Sequence, residues 1–258
     1  NFAEEATGKK TGSNILYLSR ELSEVAQADQ ISLAELEKII ANARKKLLSA
    51  RQNRTRPLLD DKILTDWNGL MIAALARSGR ILNHTEYTQK ARQAADFLLE
   101  NLQDKNGNLL HRFREGSAAI RGYLDDYAYL SWGLLELYQN LNQPFYLEQA
   151  LILMHKLLDD FWDPRKGGFF MTAADAEQVL IRQKETYDGA MPSGNSVALY
   201  VLALLHRITK SPDLEEKIEE MMQAFSKPVT ELPAGHTFFL CALNLIFNPD
   251  KEVVIPAT

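Results

Sequence analysis

The sequence predicts an all-α fold, a ring of helical hairpins with heavily apolar helices inside and amphipathic helices outside. Three observations carry this expectation. Apolar residues recur at helical spacing through most of the 258-residue chain. Nearly all-apolar helices alternate with one-sided ones, and a helix that is apolar on most sides is buried on most sides. An acid-rich loop that runs into an apolar helix recurs around Asp66, Asp126 and Asp188. Its period of about 60 residues marks a repeat architecture.

Residues 1 to 30 carry no firm pattern, although Ile15-Leu16-Tyr17-Leu18 fits a short strand. Ser32 and Glu35 then form a capping box, each side chain satisfying one orphan backbone N–H. Leu33, Leu36, Ile39, Ile40, Ala43, Leu47 and Leu48 follow at helical spacing, with Arg44, Lys45 and Lys46 on the solvated face. The second helix, about 66–82, is small or apolar from Leu70 to Ala76. After the break Asn83-His84, Thr85 and Glu86 open an amphipathic helix through Tyr87, Ala91, Leu98 and Leu102. Asp104-Lys105-Asn106-Gly107-Asn108 is a turn, and Leu109 to Phe113 fits a short strand.

A second apolar helix covers about 124–141. Beyond Asn142-Gln143, Pro144 takes the first position of an amphipathic helix that reaches about 161. Asp163-Pro164-Arg165-Lys166-Gly167-Gly168 turns the chain, and Phe169 to Met171 and Val179 to Arg182 fit two short strands. A third apolar helix spans 193–209. Ser211-Pro212 caps a charged helix at about 212–225, and Pro233 opens a last apolar helix at about 234–247. Glu252-Val253-Val254-Ile255 fits a strand. Short breaks force antiparallel neighbours. The apolar helices therefore run parallel to one another, and the long loops enter their N-termini on one face.

Composition narrows the function. At 46% hydrophobic and 24% charged, the chain can bury a sizeable core. The net charge of −5 leaves no basic stripe for phosphates, so no nucleic-acid partner is expected. The single cysteine, Cys241, excludes an internal disulfide and reads as a small core residue among Phe238 to Leu245. No apolar run approaches the roughly 18 residues of a membrane span, and no signal peptide is evident. A cytoplasmic location is the expectation. The start at Asn1-Phe2, without an initiator Met, reads as a piece of a longer chain.

The long-loop face holds nearly every unusual polar residue, and function concentrates on loops held by a rigid scaffold. Aromatic residues lie among the carboxylates there: Trp67, Tyr123, Tyr127, Tyr187 and Phe238. Sugars have apolar faces and hydroxyl rims, so this mixture suits them. The catalytic candidates are Asp66, Asp126, Asp188, Glu185 and His236. The substrate-binding candidates are Trp67, Asn68, Arg54, Arg56, Asp61, Asp125, Tyr127 and Asn195. Each has a structural alternative. Asp66, Asp126 and Ser193 suit helix N-caps. Arg54, Arg56 and Arg121 suit loop-holding ion pairs. Trp67 and Tyr127 suit the core. His84, His155 and His206 read as structural, while His111 and His236 lie on the loop face, His236 being the proton-transfer candidate. No spacing resembles a metal site or a phosphate-binding loop, so neither metal nor cofactor is expected.

Three motifs carry a resemblance. They are Arg54-x-Arg56-Pro57 with Asp60-Asp61-Lys62-Ile63-Leu64-Thr65-Asp66-Trp67-Asn68-Gly69, then Leu124-Asp125-Asp126-Tyr127-Ala128, then Asp188-Gly189-Ala190-Met191-Pro192-Ser193-Gly194-Asn195-Ser196. In this order they resemble the spermatogenesis-associated protein 20 family, and Gly167-Gly168-Phe169-Phe170 fits as well. The resemblance implies a thioredoxin-like domain followed by an (α/α)6 toroid of the six-hairpin glycosidase type. This chain shows no Cys-x-x-Cys and no leading βαβ pattern, so residues 1–258 read as one partial toroid domain without the thioredoxin-like part. The expected function is carbohydrate processing or binding, glycoside hydrolase-like or epimerase-like if enzymatic. The alternative is a non-catalytic scaffold or ligand-binding module accompanying a thioredoxin-like domain. A sugar-like ligand is the expected partner. A partial toroid also exposes the apolar flanks of its end helices, so self-association of the chain made alone is expected.

Overall fold

The computed structural model describes residues 7–10, 12, 17–176 and 181–248. The chain divides into two compact units, residues 1–60 and 61–258.

In the first unit, α1 (Leu22–Ala28) packs on α2 (Leu33–Gln52). Ser32 Oγ accepts from Glu35 N at 3.2 Å, so α2 starts at the expected cap. Periodicity does not reveal α1, because its seven residues bury only Ala26. Of the strand expected at 15–18, Ile15 and Leu16 lie outside the described residues. Tyr17 and Leu18 are exposed and in no strand.

The second unit holds the helical hairpins. In chain order it runs β1 (Ile63–Leu64), α3 (Thr65–Ile81), α4 (Thr85–Asn101), β2 (Leu110–Arg114), β3 (Ser117–Arg121), α5 (Leu124–Leu141), α6 (Pro144–Asp160), α7 (Gly194–Thr209), α8 (Pro212–Glu231), a 3-10 turn (Pro233–Gly235) and α9 (Thr237–Phe247). Helices α3 and α4, α5 and α6, and α7 and α8 pack as hairpins. The apolar helices pack in the order α3, α5, α7, α9. Helices α5 and α7 are buried on nearly every side, as their apolar sequences require. The core joins Ile72 and Ala76 of α3, Tyr127, Leu130 and Leu134 of α5, and Val197, Val201 and Leu202 of α7.

Two features set this packing. Helices α3 and α5 cross with their backbones in contact. A Cβ at Gly69 would lie 2.6 Å from Leu130 N and from Tyr129 C, and one at Gly133 would lie 2.9 Å from Gly69 O. The three short breaks each hold a residue with positive φ, Asn83 at 51°, Asn142 at 52° and Lys210 at 57°. Asparagine tolerates this left-handed conformation, which stops a helix and reverses the chain.

Strands β1, β2 and β3 form one antiparallel sheet in that order, with Ile63 opposite Phe113 and Arg112 opposite Ala119. Successive side chains of a strand face opposite sides. In β2, Phe113 meets Phe97 edge-on at 5.3 Å, and His111 lies on the same side. Thr65 Oγ1 donates to Leu110 O at 2.6 Å and ties the head of α3 to β2.

Several expectations need correction. Phe169 to Met171 forms only an isolated antiparallel bridge, Phe169 opposite Trp162, because the Asn195 side chain occupies the backbone groups that a partner on the other edge would use. Asn195 Oδ1 accepts from Phe169 N at 2.8 Å, and Nδ2 donates to Phe169 O at 2.9 Å. Of the second expected strand, residues 179 and 180 lie outside the described residues, and Ile181 and Arg182 are in none. Helix α8 continues past residue 225 to Glu231 with Pro228 inside its last turn. The last helix starts at Thr237, after the 3-10 turn that Pro233 opens. Cys241 is exposed, because α9 turns Phe239 and Ala242 to the core instead. The strand expected at 252–255 lies outside the described residues.

Candidate functional site

The starts of α3, α5, α7 and α9 come together through aspartates. Neither Leu64 nor His236, the N-cap residues of α3 and α9, supplies a side-chain cap. Aspartates from other repeats satisfy the orphan N–H groups instead. Asp126 Oδ1 accepts from Asp66 N at 3.0 Å. Asp188 Oδ2 accepts from Phe238 N at 2.7 Å and Phe239 N at 3.2 Å. Asp188 Oδ1 accepts from Ser193 N at 2.8 Å, and Ser193 Oγ caps α7 by accepting from Ser196 N at 3.2 Å. Asp126 Oδ2 accepts from Tyr123 N at 2.8 Å at the head of α5. Gly194 N, at the head of α7, donates to Asp125. A Cβ at Gly194 would collide with Asp125 Oδ1, so glycine is required there. The four apolar helices therefore present their N-termini on one face, as the long-loop pattern predicts.

At the centre stand Asp66, Asp125 and Asp126, with His111 reaching in from β2. Asp126 is fully buried, and both of its oxygens lie 3.1 Å from His111 Nδ1. Burial pushes the Asp66 carboxyl up, against a hydrogen bond from Trp67 N at 2.7 Å. Burial also pushes Asp126 up, and the His111 hydrogen bond and charge pull it back. His111 is raised above the usual imidazole value, chiefly by its hydrogen bond to Asp126. Asp126 receives two backbone N–H groups besides the imidazole, so the proton they share belongs on His111. Asp125 is the outlier. Burial first, then the charges of Asp126, Asp66 and Glu185, push its carboxyl up to about 7.

Asp125 opens onto a pocket of about 300 Å³. Glu185, Tyr187, Tyr129, Met171 and Met191 line it with Asp125. Tyr129 OH donates to Pro192 O and fixes the loop that forms one wall. Burial first, then the charges of the neighbouring aspartates, push the Tyr129 hydroxyl far up, so it is a neutral donor.

The other sequence candidates are placed as follows. Trp67 is 60% exposed at the head of α3, not in the core. Asn68 Nδ2 donates to Leu64 O at 2.7 Å. Asp61 is exposed and pairs with Arg114 at 2.7 Å. Tyr127 is core: its OH accepts from Leu109 N at 2.9 Å, and burial pushes it up to about 12. Asn195 is buried, with its amide on Phe169 and on Glu185 O. Asp188 binds helix starts. His236 is buried, with Nδ1 2.8 Å from Leu232 O and its ring edge-on to Tyr187. Arg54 and Arg56 are exposed residues of the first unit. Arg121 pairs with Asp160 and Asp175, away from the aspartate cluster. His111 is the central group that sequence reasoning left out of its candidates. The alternation in His111-Arg112-Phe113-Arg114, which puts the histidine on the Phe113 side, is the signal for it.

Asp66, His111 and Asp126, whose spacing in the sequence matches no ligand pattern, each turn one ligand-type atom to within 4.8 Å of the others. Both Asp126 oxygens already accept backbone N–H groups and face His111 Nδ1. The Asp126 carboxylate bonds the His111 imidazole and the Asp66 N–H, while the Asp66 carboxylate accepts from Trp67 N. Among the described residues, no helix is long and apolar enough to cross a membrane.

No family model matches the chain. Over 99% of its length it is 30% identical to spermatogenesis-associated protein 20 of Mus musculus, and over 98% it is 30% identical to that of Homo sapiens. The chain spans about a third of these relatives, 34% of each. Among solved structures it is similar to a family 76 glycoside hydrolase from a bovine Bacteroides thetaiotaomicron strain, with a TM-score of 0.61 at 17% identity over 75% of this chain and 45% of that one. Cellobiose 2-epimerase from Bacillus thermoamylovorans gives 0.60 at 16% identity, over 74% and 57%. An inactive variant of a Salegentibacter α-1,6-mannanase, with two aspartates replaced by asparagine and α-1,6-mannotriose bound, gives 0.52 at 17% identity, over 63% and 46%. The described hairpins therefore form part of an (α/α)6 glycosidase-like fold, the fold of these carbohydrate-processing enzymes.

Proposed function

We propose, from the premise that this chain is a homologue of spermatogenesis-associated protein 20 on a six-hairpin glycosidase-like fold, that the pocket at the helix starts acts on a carbohydrate. Asp125 serves as its proton donor. The observation that carries this reading is the Asp125 carboxyl, raised to about 7 and opening onto the pocket. Such a group still holds a proton near neutral pH and can give it to a departing glycosidic oxygen. Glycoside cleavage needs a second carboxylate across the bond. Glu185 lines the same pocket and supplies it as base or nucleophile. Tyr187, Met171 and Met191 offer apolar surface to sugar faces, and Tyr129 stands beside Asp125. The similar α-1,6-mannanase is inactive when two consecutive aspartates are changed, and this chain carries Asp125-Asp126 at a helix start. The buried His236 lends no support to an epimerase-like role for that residue.

A panel of oligosaccharides turned over by the full-length protein tests the proposal. Asp125→Asn and Glu185→Gln should each lower kcat/KM by at least about 100-fold. The rate should fall as pH rises through about 7, where Asp125 loses its proton. Unchanged turnover in both variants would contradict it. The second reading is a ligand-binding scaffold without turnover. It is favoured by Asp188 and Asn195, whose side chains are engaged by backbone groups. Oligosaccharide binding without turnover would select it.

A further inference from the structure

We infer that His111 is the positioning residue of the acidic site, holding Asp126 ionised and so leaving Asp125 as the carboxyl that carries the proton. The inference rests on the reading of Asp125 as the proton donor.

The geometry separates the two neighbouring aspartates. Asp126 is wholly buried and meets three donors, Asp66 N at 3.0 Å, Tyr123 N at 2.8 Å and His111 Nδ1 at 3.1 Å from each oxygen. Asp125 receives one backbone donor, Gly194 N. A carboxylate with several donors and a cation keeps its charge, and its neighbour in a crowded acidic site takes the proton. His111 is the one basic side chain paired with this cluster among the described residues. Of the other basic residues of the sheet, Arg112 and Arg114 alternate to the side opposite His111, Arg114 pairs with Asp61, and Arg121 pairs with Asp160 and Asp175. The groups facing His111 are Asp126 and Asp125 of α5, Asp66 of α3 and the Tyr123 ring, edge-on at 5.2 Å. Three carboxyls around one imidazole favour the imidazolium, and its raised pKa agrees.

Donating Nδ1–H to Asp126 also fixes the imidazole. Removing His111 would take away both the hydrogen bond and the charge. His111→Asn separates them, because the Asn amide nitrogen stands close to where Nδ1 stood, donates in the same way and carries no charge.

The test is made on the full-length protein without ligand, so it fails or succeeds independently of the carbohydrate reading. Histidine 15N NMR should show His111 as imidazolium at pH 7, its resonances identified by their absence in His111→Asn. Carboxyl 13C NMR should show Asp125 titrating near 7 in the parent, with Asp126, held by the His111 hydrogen bond and charge, titrating below it. In His111→Asn the Asp126 carboxyl should titrate higher than in the parent, and Asp125 lower, as the neighbouring charge is lost. The melting temperature should stay within a few degrees. A neutral His111 at pH 6 in the parent would overturn the inference whether or not the variant folds. Identical Asp125 and Asp126 titrations in parent and variant would also overturn it.

Discussion

Asp188 shows how one side chain can hold two helices. Its oxygens receive Ser193 N, Phe238 N and Phe239 N, joining the heads of α7 and α9. Asp188→Ala leaves these donors buried without a partner and should lower stability by about 3 kcal/mol, measured by denaturant unfolding. A loss under about 1 kcal/mol would mean that water replaces the carboxylate. Asp125 works in the opposite direction. Its native value near 7 lies above its ordinary 3.8. Its protonated form therefore favours folding below pH 3.8, and that contribution is lost as pH rises through 7. Asp125→Asn, which cannot ionise, should gain on the parent in thermal melts between pH 5 and pH 8. An equal pH dependence in both proteins would contradict the raised value. Acids ahead of apolar helices mark Asp66, Asp125, Asp126 and Asp188 in the sequence. Their division of labour is not marked, because Asp126 and Asp188 cap helices from other repeats, and such contacts exist only once the repeats pack. His111 is hidden for the same reason, its partner lying 15 positions away on another element.

Among the elements, α3 and α5 are the most closely coupled. Gly69 and Gly133 let their backbones touch, so Gly69→Ala must push the helices apart. The expected cost is about 2–3 kcal/mol, read from the denaturant midpoint. A variant as stable as the parent would show that the crossing can relax. Eight helices, from α2 to α9, can be read from apolar spacing, caps and breaks, since each carries several turns of pattern. The short pieces cannot. In α1 only Ala26 is buried, and the segment from Phe169 to Met171 makes a single antiparallel bridge, Phe169 opposite Trp162, with the Asn195 side chain on its other edge. The short breaks announce themselves through asparagine at 83 and 142, whereas Lys210 takes the same left-handed conformation without any sequence signal.

For the molecule as a whole, the alternation of apolar and amphipathic helices foretells the hairpin fold, and the repeat foretells that the helix starts meet. Exposed Leu33, Ile39, Leu47 and Leu48 of α2, and exposed Leu240 and Phe247 of α9, offer apolar surface. Light scattering of this chain produced alone should therefore show self-association, and a stable monomer would count against it. The pocket beside Asp125 is the proposed carbohydrate site. Hydrogen-exchange protection in the full-length protein, with and without saturating oligosaccharides that include α-1,6-mannotriose and cellobiose, tests it most directly. At least one of them should slow exchange at the head of α5, around Asp125 to Tyr129, and in the loop from Glu185 to Gly194. Protection confined to other segments, or none with any oligosaccharide, would contradict it.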